Sequence, residues 1–379
     1  MKEGWRKTTV GEILKLEYGK PLDSSQRKKN GLYPVYGANG EKDRTDKCYH
    51  DKPSIIVGRK GSAGEINLTE SKFWALDVTY FVTYDERSYD LRFLYYLLTT
   101  LELPALAKGV KPGINRNEVY AKQVLVPSLG EQKRIVAILD QAFEAIEKAQ
   151  SKVGRSATDA IELFESALGF CLETGKEAWR TESLESVVDS GCSLSYGIVQ
   201  PGELIENGLP IVRPTDLGCR EVSLSGLKRI DPSLAQPYQR TRLRGNDLLL
   251  CVRGSTGVVS VACEELKGGN VTRGIVPITF DAAIISQQFG YYLLRSPQVQ
   301  SQIRARTYGA ALMQINIGDL RKVRVSFPSR SVQDRIVEKL DALDLQTGRL
   351  AAVYREKQEG LTALSASLLN HAFNGKLAA

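Results

Sequence analysis

Apolar residues along this chain follow one period, then another, and the change of period happens twice. Short apolar runs bounded by Gly, Pro, Asn and Asp predict strands at Ser54–Val57, Val78–Val82, Leu248–Val252 and Gly274–Ile278. Helical spacing follows at Leu91–Leu101, with Leu94, Leu97, Leu98 and Leu101 on one face, and at Gln287–Leu294. Each stretch closes with a strand ending at proline, Val124–Pro127 and Val323–Pro328. After each proline the spacing becomes 4,3,4,3,4, through Ile135, Leu139, Ala142, Ile146, Ala149 and Val153, and through Ile336, Leu340, Leu343, Thr347, Leu350 and Tyr354. The second register runs on to Leu361, Leu364 and Leu368, with Thr347 and Lys357 as polar interruptions. A stripe every 3.5 residues is a coiled-coil seam. The small Ala142 and Ala149 answer the larger Leu343 and Leu350, which suits two helices of one chain packing on each other. The alternative is that each helix packs on its own module. A helix of about forty residues would be about 60 Å long, against about 34 Å for one duplex turn.

The expected fold class is therefore α/β (α+β). Two tandem modules of mixed strands and helices, 1–129 and 176–329, are joined by long helical segments, 130–175 and 330–379. The modules are copies. Asn115, Pro127, Ser128, Gln132, Arg134, Ile135, Val136, Leu139 and Asp140 recur as Asn316, Pro328, Ser329, Gln333, Arg335, Ile336, Val337, Leu340 and Asp341 at one constant offset. Upstream the offset drifts. Trp5-Arg6 answers Trp179-Arg180, Lys60–Gly64 answers Arg253–Gly257, and Phe93–Leu98 answers Phe289–Leu294. A constant offset keeps helix faces in register, whereas drift marks loops of differing length. A duplicated module suits a two-part target.

Composition adds a sign to this picture. The net charge is +7 over 379 residues, and it divides as +5 in 1–129, −3 in 130–175, +4 in 176–329 and +1 in 330–379. Excess positive charge on both modules suits two surfaces facing a polyanion, although +5 also falls within the ordinary scatter of such modules. The six cysteines form no C-x-x-C pair, which predicts reduced thiols, and no apolar run approaches the roughly 18 residues of a membrane span. With no apolar segment after Met1, a cytoplasmic protein is expected.

Signatures of catalysis are scarce. The two histidines, His50 and His371, have no supporting motif. The nearest approach to a phosphate loop, Gly169 to Gly175-Lys176, has the wrong spacing. The chain has no G-x-G-x-x-G after a strand, no H-E-x-x-H, no Asn-Pro-Pro-aromatic run and no recognisable pair of metal-holding carboxylates.

Three pairs of loops could meet DNA. The first is Arg59-Lys60-Gly61-Ser62-Ala63-Gly64 with Arg253-Gly254-Ser255-Thr256-Gly257, where glycines admit close backbone approach and Ser62, Ser255 and Thr256 add hydroxyls. A β-turn with solvated cations reads equally well. The second is the basic loop of Lys108, Lys111, Arg116 and Asn117, echoed by Arg304, Arg306, Tyr308 and Gln314. Arg suits guanine, and Asn or Gln suits adenine. The differing loops predict half-sites of differing sequence, while the recurring Asn115 and Asn316 point more to helix capping than to base reading. The third is Lys42 and Arg44 after Pro34, with Arg213 after Pro210. Arg240 and Arg242 alternate with Thr241 and Leu243 as an exposed strand or turn would, and suit either a backbone contact or a solvated edge.

Taken together, these motifs resemble the specificity subunit of Type I DNA restriction–modification systems over essentially the whole chain. The resemblance rests on the Trp-Arg starts, the Tyr33-Pro34-Val35-Tyr36-Gly37-Ala38-Asn39-Gly40 run, the Gly-Ser turns, and the Pro-Ser-x-x-x-Gln-x-Arg-Ile-Val helix starts. It rests also on Leu368-Leu369-Asn370-His371-Ala372-Phe373-Asn374-Gly375-Lys376-Leu377. It implies two target recognition domains reading a bipartite, asymmetric DNA sequence, held by an antiparallel coiled coil. It also implies a non-catalytic chain that docks two methyltransferase subunits and recruits restriction-translocase subunits. S-adenosylmethionine, ATP and Mg²⁺ would belong to those partners, with no cofactor or metal on this chain. The first copy ends Gly169-Phe170-Cys171-Leu172 where the second has Asn370-His371-Ala372-Phe373, so docking at the two ends is expected to differ. A standalone nucleic-acid-modifying enzyme and a scaffold without DNA contact are the rival readings.

Overall fold

The computed structural model describes residues 4–174, 178–309 and 312–377. Met1–Glu3, Gly175 and Lys176 at the end of the first copy, and Ala310 and Ala311 in the second basic loop lie outside the described residues. The chain forms two compact units, 1–155 with 354–379, and 156–353. Each unit takes in half of each long helix.

Pairing of the first and last strands of a module closes each unit. Arg6–Thr9 runs antiparallel to Gln123–Val126 in unit 1, and Arg180–Ser183 to Arg324–Phe327 in unit 2. Trp5 and Trp179, just before these strands, are buried and part-buried in their cores. Unit 1 has an antiparallel sheet in the order Leu14–Tyr18, Thr79–Tyr84, Ser54–Gly58, Ile66–Thr69. Unit 2 keeps the last three as Ile275–Ile278, Leu248–Cys251 and Val259–Ala262, and adds Glu221–Val222, parallel to Val259–Ala262, at the edge. Central strands buried on both faces explain why Ser54–Val57 and Leu248–Cys251 read as unbroken apolar runs. A three-stranded sheet lies beside each, built on Tyr33–Gly37 in unit 1 and Leu209–Val212 in unit 2.

The expected module helices form at Leu91–Thr99 and Gln287–Arg295, capped by Asp90 and Ser286. The first stops two residues short of Leu101. There Thr99 and Thr100 turn their hydroxyls onto the carbonyls of Tyr96 and Leu97, and Glu102 takes a positive φ of 48° before Pro104. The long helices run Leu129–Glu173 and Arg330–Phe373. In unit 1 the start of the first shares a core with the end of the second, through Ile135, Leu139, Leu368, Leu369 and Phe373. In unit 2 Phe164, Leu168 and Leu172 share a core with Ile336 and Leu340. The two helices are therefore antiparallel. Phe373 packs on Phe93, with ring centroids 5.2 Å apart. Leu172, its counterpart at the repeat offset, is likewise buried, so the two differently spelled helix ends do the same packing.

The seam departs from the stripe in two places. Leu350 and Leu364 are 40% and 47% exposed, while Ala351 and Ser365 are part-buried. A straight helix of 3.6 residues per turn drifts away from a 3.5-residue repeat, which carries those leucines off the inner face. Thr347 is buried instead, its hydroxyl satisfied by the carbonyl of Leu343. Lys357 is exposed and leans over the Tyr354 ring.

The constant-offset residues build the joint between module and helix. Gln132 is buried and accepts from the Asp90 N–H at 2.9 Å while donating to the carbonyls of Pro127 and Ser88. Gln333 does the same with the Ser286 N–H, Pro328 and Ile284. Each glutamine ties the strand-ending proline, the long helix and the cap of the module helix into one fixture, through bonds that are buried or part-buried. Nearby, Tyr96 donates to Asp140 at 2.5 Å and Tyr292 to Asp341 at 2.6 Å.

Candidate nucleic-acid interface

In both units a sharp turn leaves the central buried strand, and a loop some fifty to sixty residues later returns to bond to it. In unit 1 the Gly61 N–H donates to Pro112 O at 2.8 Å, and the Ile114 N–H to Arg59 O at 3.1 Å. In unit 2 the Gly254 N–H donates to Met313 O at 2.8 Å, and the Ile315 N–H to Val252 O at 3.0 Å. The returning loop is itself a hairpin, closed between Lys108 and Gly113 and between Tyr308 and Gln314. Two sequence candidates are thus one hydrogen-bonded surface, made twice to the same plan. The turn needs glycine at both ends. Gly61 and Gly64, like Gly254 and Gly257, have φ between 83° and 98°. A Cβ on Gly64 would lie 2.3 Å from Pro104 N.

This plan corrects the expected role of the glycines. Their N–H groups point inward, Gly64 to Gly58 O and Gly257 to Cys251 O, so they are not free for phosphate. The Thr256 hydroxyl is likewise engaged, by Met313 O at 3.1 Å. Ser62 and Ser255 remain exposed at the turn, beside Lys60 and Arg253, which have no ion-pair partner among the described residues.

The side chains around the surface differ between units. In unit 1 the exposed Tyr18 has guanidinium groups of both Arg59 and Arg116 5.0 Å from its ring centroid, and Tyr80 5.1 Å away. The Tyr18 ring thus draws two cations to one place on the surface. Lys108 pairs with Glu118, while Lys111 is exposed and has no ion-pair partner among the described residues. Asn117 donates its N–H to the capping side chain of Asn115. In unit 2 Tyr196, Arg253, Arg273, Tyr308, Gln314 and Asn316 line a cavity of about 280 Å³. Tyr196 donates to Ile315 O at 3.0 Å, and burial pushes its phenol up. Tyr308 donates to Asn316 at 2.6 Å, so Asn316 holds the loop where Asn115 caps a helix.

Other predicted contacts fall elsewhere. Arg44 donates to Gly31 O and Leu32 O and pairs with Glu41 at 2.9 Å, and Arg213 forms a two-pronged pair with Asp216. Both guanidiniums are spent locally. Lys42 is exposed, its stem packed over Gly37, and the hairpin tip at Ala38 touches Gly58 beside the turn. Arg304 lines a different cavity, with Arg220, Glu165 and Asp344, and Arg306 bonds back to Gln302 O. Arg240 and Arg242 are exposed, but Thr241 ends a 3₁₀ segment, Pro232–Thr241, instead of lying in a strand. Arg242 lies over Gly268, at the far end of strand Asn270–Val271 from Arg273. Tyr18, Tyr196 and Arg273 are the residues that sequence reasoning missed. None has a local motif, because tertiary contact alone brings them to the surface.

The family model for the Type I restriction modification DNA specificity domain matches residues 2–153 and 220–355. The chain belongs to this family. The Type I restriction enzyme EcoBI specificity subunit from Escherichia coli is 24% identical, over 78% of this chain and 67% of that one. The MjaVIII specificity subunit from Methanocaldococcus jannaschii is 21% identical, over 99% of this chain and 93% of that one. Among solved structures, a chain from work on assembly and conformational transition of the type I R-M system superposes with a TM-score of 0.75 at 19% identity, covering 100% of this chain and 99% of that one. The HsdS subunit from Thermoanaerobacter tengcongensis gives 0.54 at 19% identity, covering 100% and 98%. At that identity both speak for the fold. Among the described residues no helix is long and apolar enough to cross a membrane, and no group of three or more His, Cys, Asp or Glu side chains converges.

Proposed function

We propose that this specificity-family chain reads a two-part, asymmetric DNA sequence, one part with each unit, and catalyses nothing itself. The observation that carries the reading is the turn-and-hairpin surface built twice on one plan and furnished with different side chains. Shared backbone geometry supplies the same approach to a duplex in both units. Differing side chains make the two parts of the target differ. Lys60, Lys111 and Arg253 hold phosphates in this reading, and Gln314 and Arg273 read base edges.

The antiparallel helices, each contributing to both units, set the separation of the two parts. They also offer docking surface to two methyltransferase subunits, with restriction-translocase subunits joining the assembly in the cytoplasm. S-adenosylmethionine, ATP and Mg²⁺ act in those partners. Methylome sequencing of a host with and without this gene tests the proposal. A motif of two short defined parts, present only with the gene, is expected. An unchanged methylome in cells carrying the partner subunits, or purified chain that modifies or cuts DNA unaided, would refute it.

A further inference from the structure

One isoleucine carbonyl is met differently in the two units. In unit 1 the Tyr80 hydroxyl donates to Ile114 O at 3.4 Å. Arg59, whose carbonyl accepts the Ile114 N–H, and the nearby Arg116 lay part-buried side chains over the Tyr18 ring. In unit 2 the repeat puts Val252 and Ile317 at those two positions, and neither can reach so far. Tyr196 donates to Ile315 O instead, and the cavity of about 280 Å³ opens in front of the buried Val252. Three further exchanges furnish it. By the strand and hairpin pairings that the units share, Asp77 is replaced by Arg273, Lys108 by Tyr308 and Gly113 by Gln314.

The groups in this cavity match the parts of a nucleotide. Tyr196 and Tyr308 are 40% and 44% exposed, yet both hydroxyls are engaged, by Ile315 O and by Asn316 Oδ1, so both rings are held in place. Fixed aromatic rings supply stacking surface for a base. The Gln314 carboxamide has no partner among the described residues, and one carboxamide offers the donor and acceptor that a base edge needs. Arg253 and Arg273 have no carboxylate partner among the described residues. A free guanidinium suits a phosphate or a base edge.

We infer that the unit 2 cavity holds one nucleotide turned out of the duplex, with its base on the Tyr196 and Tyr308 rings, its edge on Gln314 and Arg273, and its phosphate on Arg253. The inference rests on the DNA-reading proposal and adds that unit 2 opens one base pair in its part of the target. An element that reads an intact duplex must reach the floor of a groove about 8.5 Å deep. A part-buried carboxamide on a cavity wall does not reach that floor, whereas a base brought out of the stack can meet it. Unit 1 places its own arginines around the matching isoleucine, so the inference concerns unit 2 alone.

Tyr308→Ala removes a ring, while Tyr308→Phe removes only the hydroxyl bond to Asn316, so the pair separates stacking from loop support. Both are measured as the full chain in complex with its co-expressed partner subunits. The duplexes carry the methylated motif, the motif with a mismatch at each position in turn, or random sequence. The wild type is expected to bind one mismatched duplex about tenfold more tightly than the paired motif, since the mismatch removes part of the cost of opening the pair. Tyr308→Phe should keep that gain. Tyr308→Ala should lose it, together with about tenfold in affinity for the motif, and should bind random duplex unchanged. A gain caused by a partner subunit at its own target base would persist in Tyr308→Ala, which tells the two apart. If Tyr308→Ala removes no mismatch gain, if Tyr308→Phe is as weak as Tyr308→Ala, or if motif and random duplex lose affinity equally, the inference is overturned and the DNA-reading proposal stands. Saturable binding of dAMP to the full chain, lost in Tyr308→Ala and with no mismatch gain, would overturn it too, by giving the cavity to a soluble nucleotide. A wild-type complex that binds no DNA would remove both.

Discussion

Unit 1 and unit 2 hold their long helices with the same glutamine, the same tyrosine–aspartate bond and the same strand-ending proline, yet their proposed recognition loops share little beyond backbone geometry and the Gly-Ser turn. Gln132 and Gln333 make matching sets of three hydrogen bonds. Tyr18, Arg59 and Arg116 in one unit have no matching cluster in the other, where Tyr196, Arg273 and Gln314 surround a cavity. The parts that hold the long helices are duplicated, and the loops proposed to meet the target have diverged. One joint has also diverged. Asp140 receives Arg92, from the module helix itself. Asp341 receives Arg220, which arrives from the segment before the edge strand, bonds Asp344 as well at 3.0 Å, and stacks on Tyr291 and Tyr292. Unit 2 thus ties a part of its module found only there directly to its long helix.

The largest expected effect tests the shared frame. Gln132→Leu or Gln333→Leu leaves buried N–H and carbonyl groups without partners, and each should cost about 3 kcal/mol, nearly equally in the two units. Urea unfolding measures this, and a large effect in one unit alone would break the parallel. Next comes the divergent joint. Arg220→Ala should cost about 2 kcal/mol and Arg92→Ala about 1, because each bonds two carboxylates, Asp341 with Asp344 and Asp140 with Glu70, but Arg220 also lies over two rings, with both values reduced by partial exposure. Equal losses would mean that the extra contacts of Arg220 contribute nothing.

The constant-offset residues were legible as a repeat because a helix in register tolerates no insertion, and the buried glutamine bonds explain why they could not drift. Long helices, module helices and buried strands were equally legible, since period and apolar runs are local signals. The candidate surface was legible only in part. Arg44 and Arg213 looked free because a sequence does not show that Glu41 and Asp216, three residues away, take up their charge. The amides of Gly61 and Gly254 looked available because the loop that satisfies them lies some fifty to sixty residues further on, and those of Gly64 and Gly257 because a sequence does not show the turn folding back on Gly58 and Cys251.

Smaller effects sharpen the contrast between frame and loops. Lys60→Ala and Arg253→Ala should each weaken binding alike for all sequences and lower the magnitude of the salt slope by about 1. Smallest is a pH effect on the frame. Burial and the bond to Asp140 push the Tyr96 phenol up to about 12. Its contribution to stability is therefore complete below the ordinary tyrosine value near 10 and is lost as pH rises from there toward 12. Tyr96→Phe should flatten that part of the urea midpoint profile, and an unaltered decline would show that Tyr96 does not cause it.

The claim that each unit reads its own half of the target is tested most directly by the methylated motif of cells carrying Arg273→Ala with Gln314→Ala. The account predicts a two-part motif in which one part becomes degenerate, at about 1–3 kcal/mol of lost discrimination per contact, while the other part and the spacing stay as in the wild type. Degeneracy spread over both parts, or a single contiguous motif in the wild type, would contradict it.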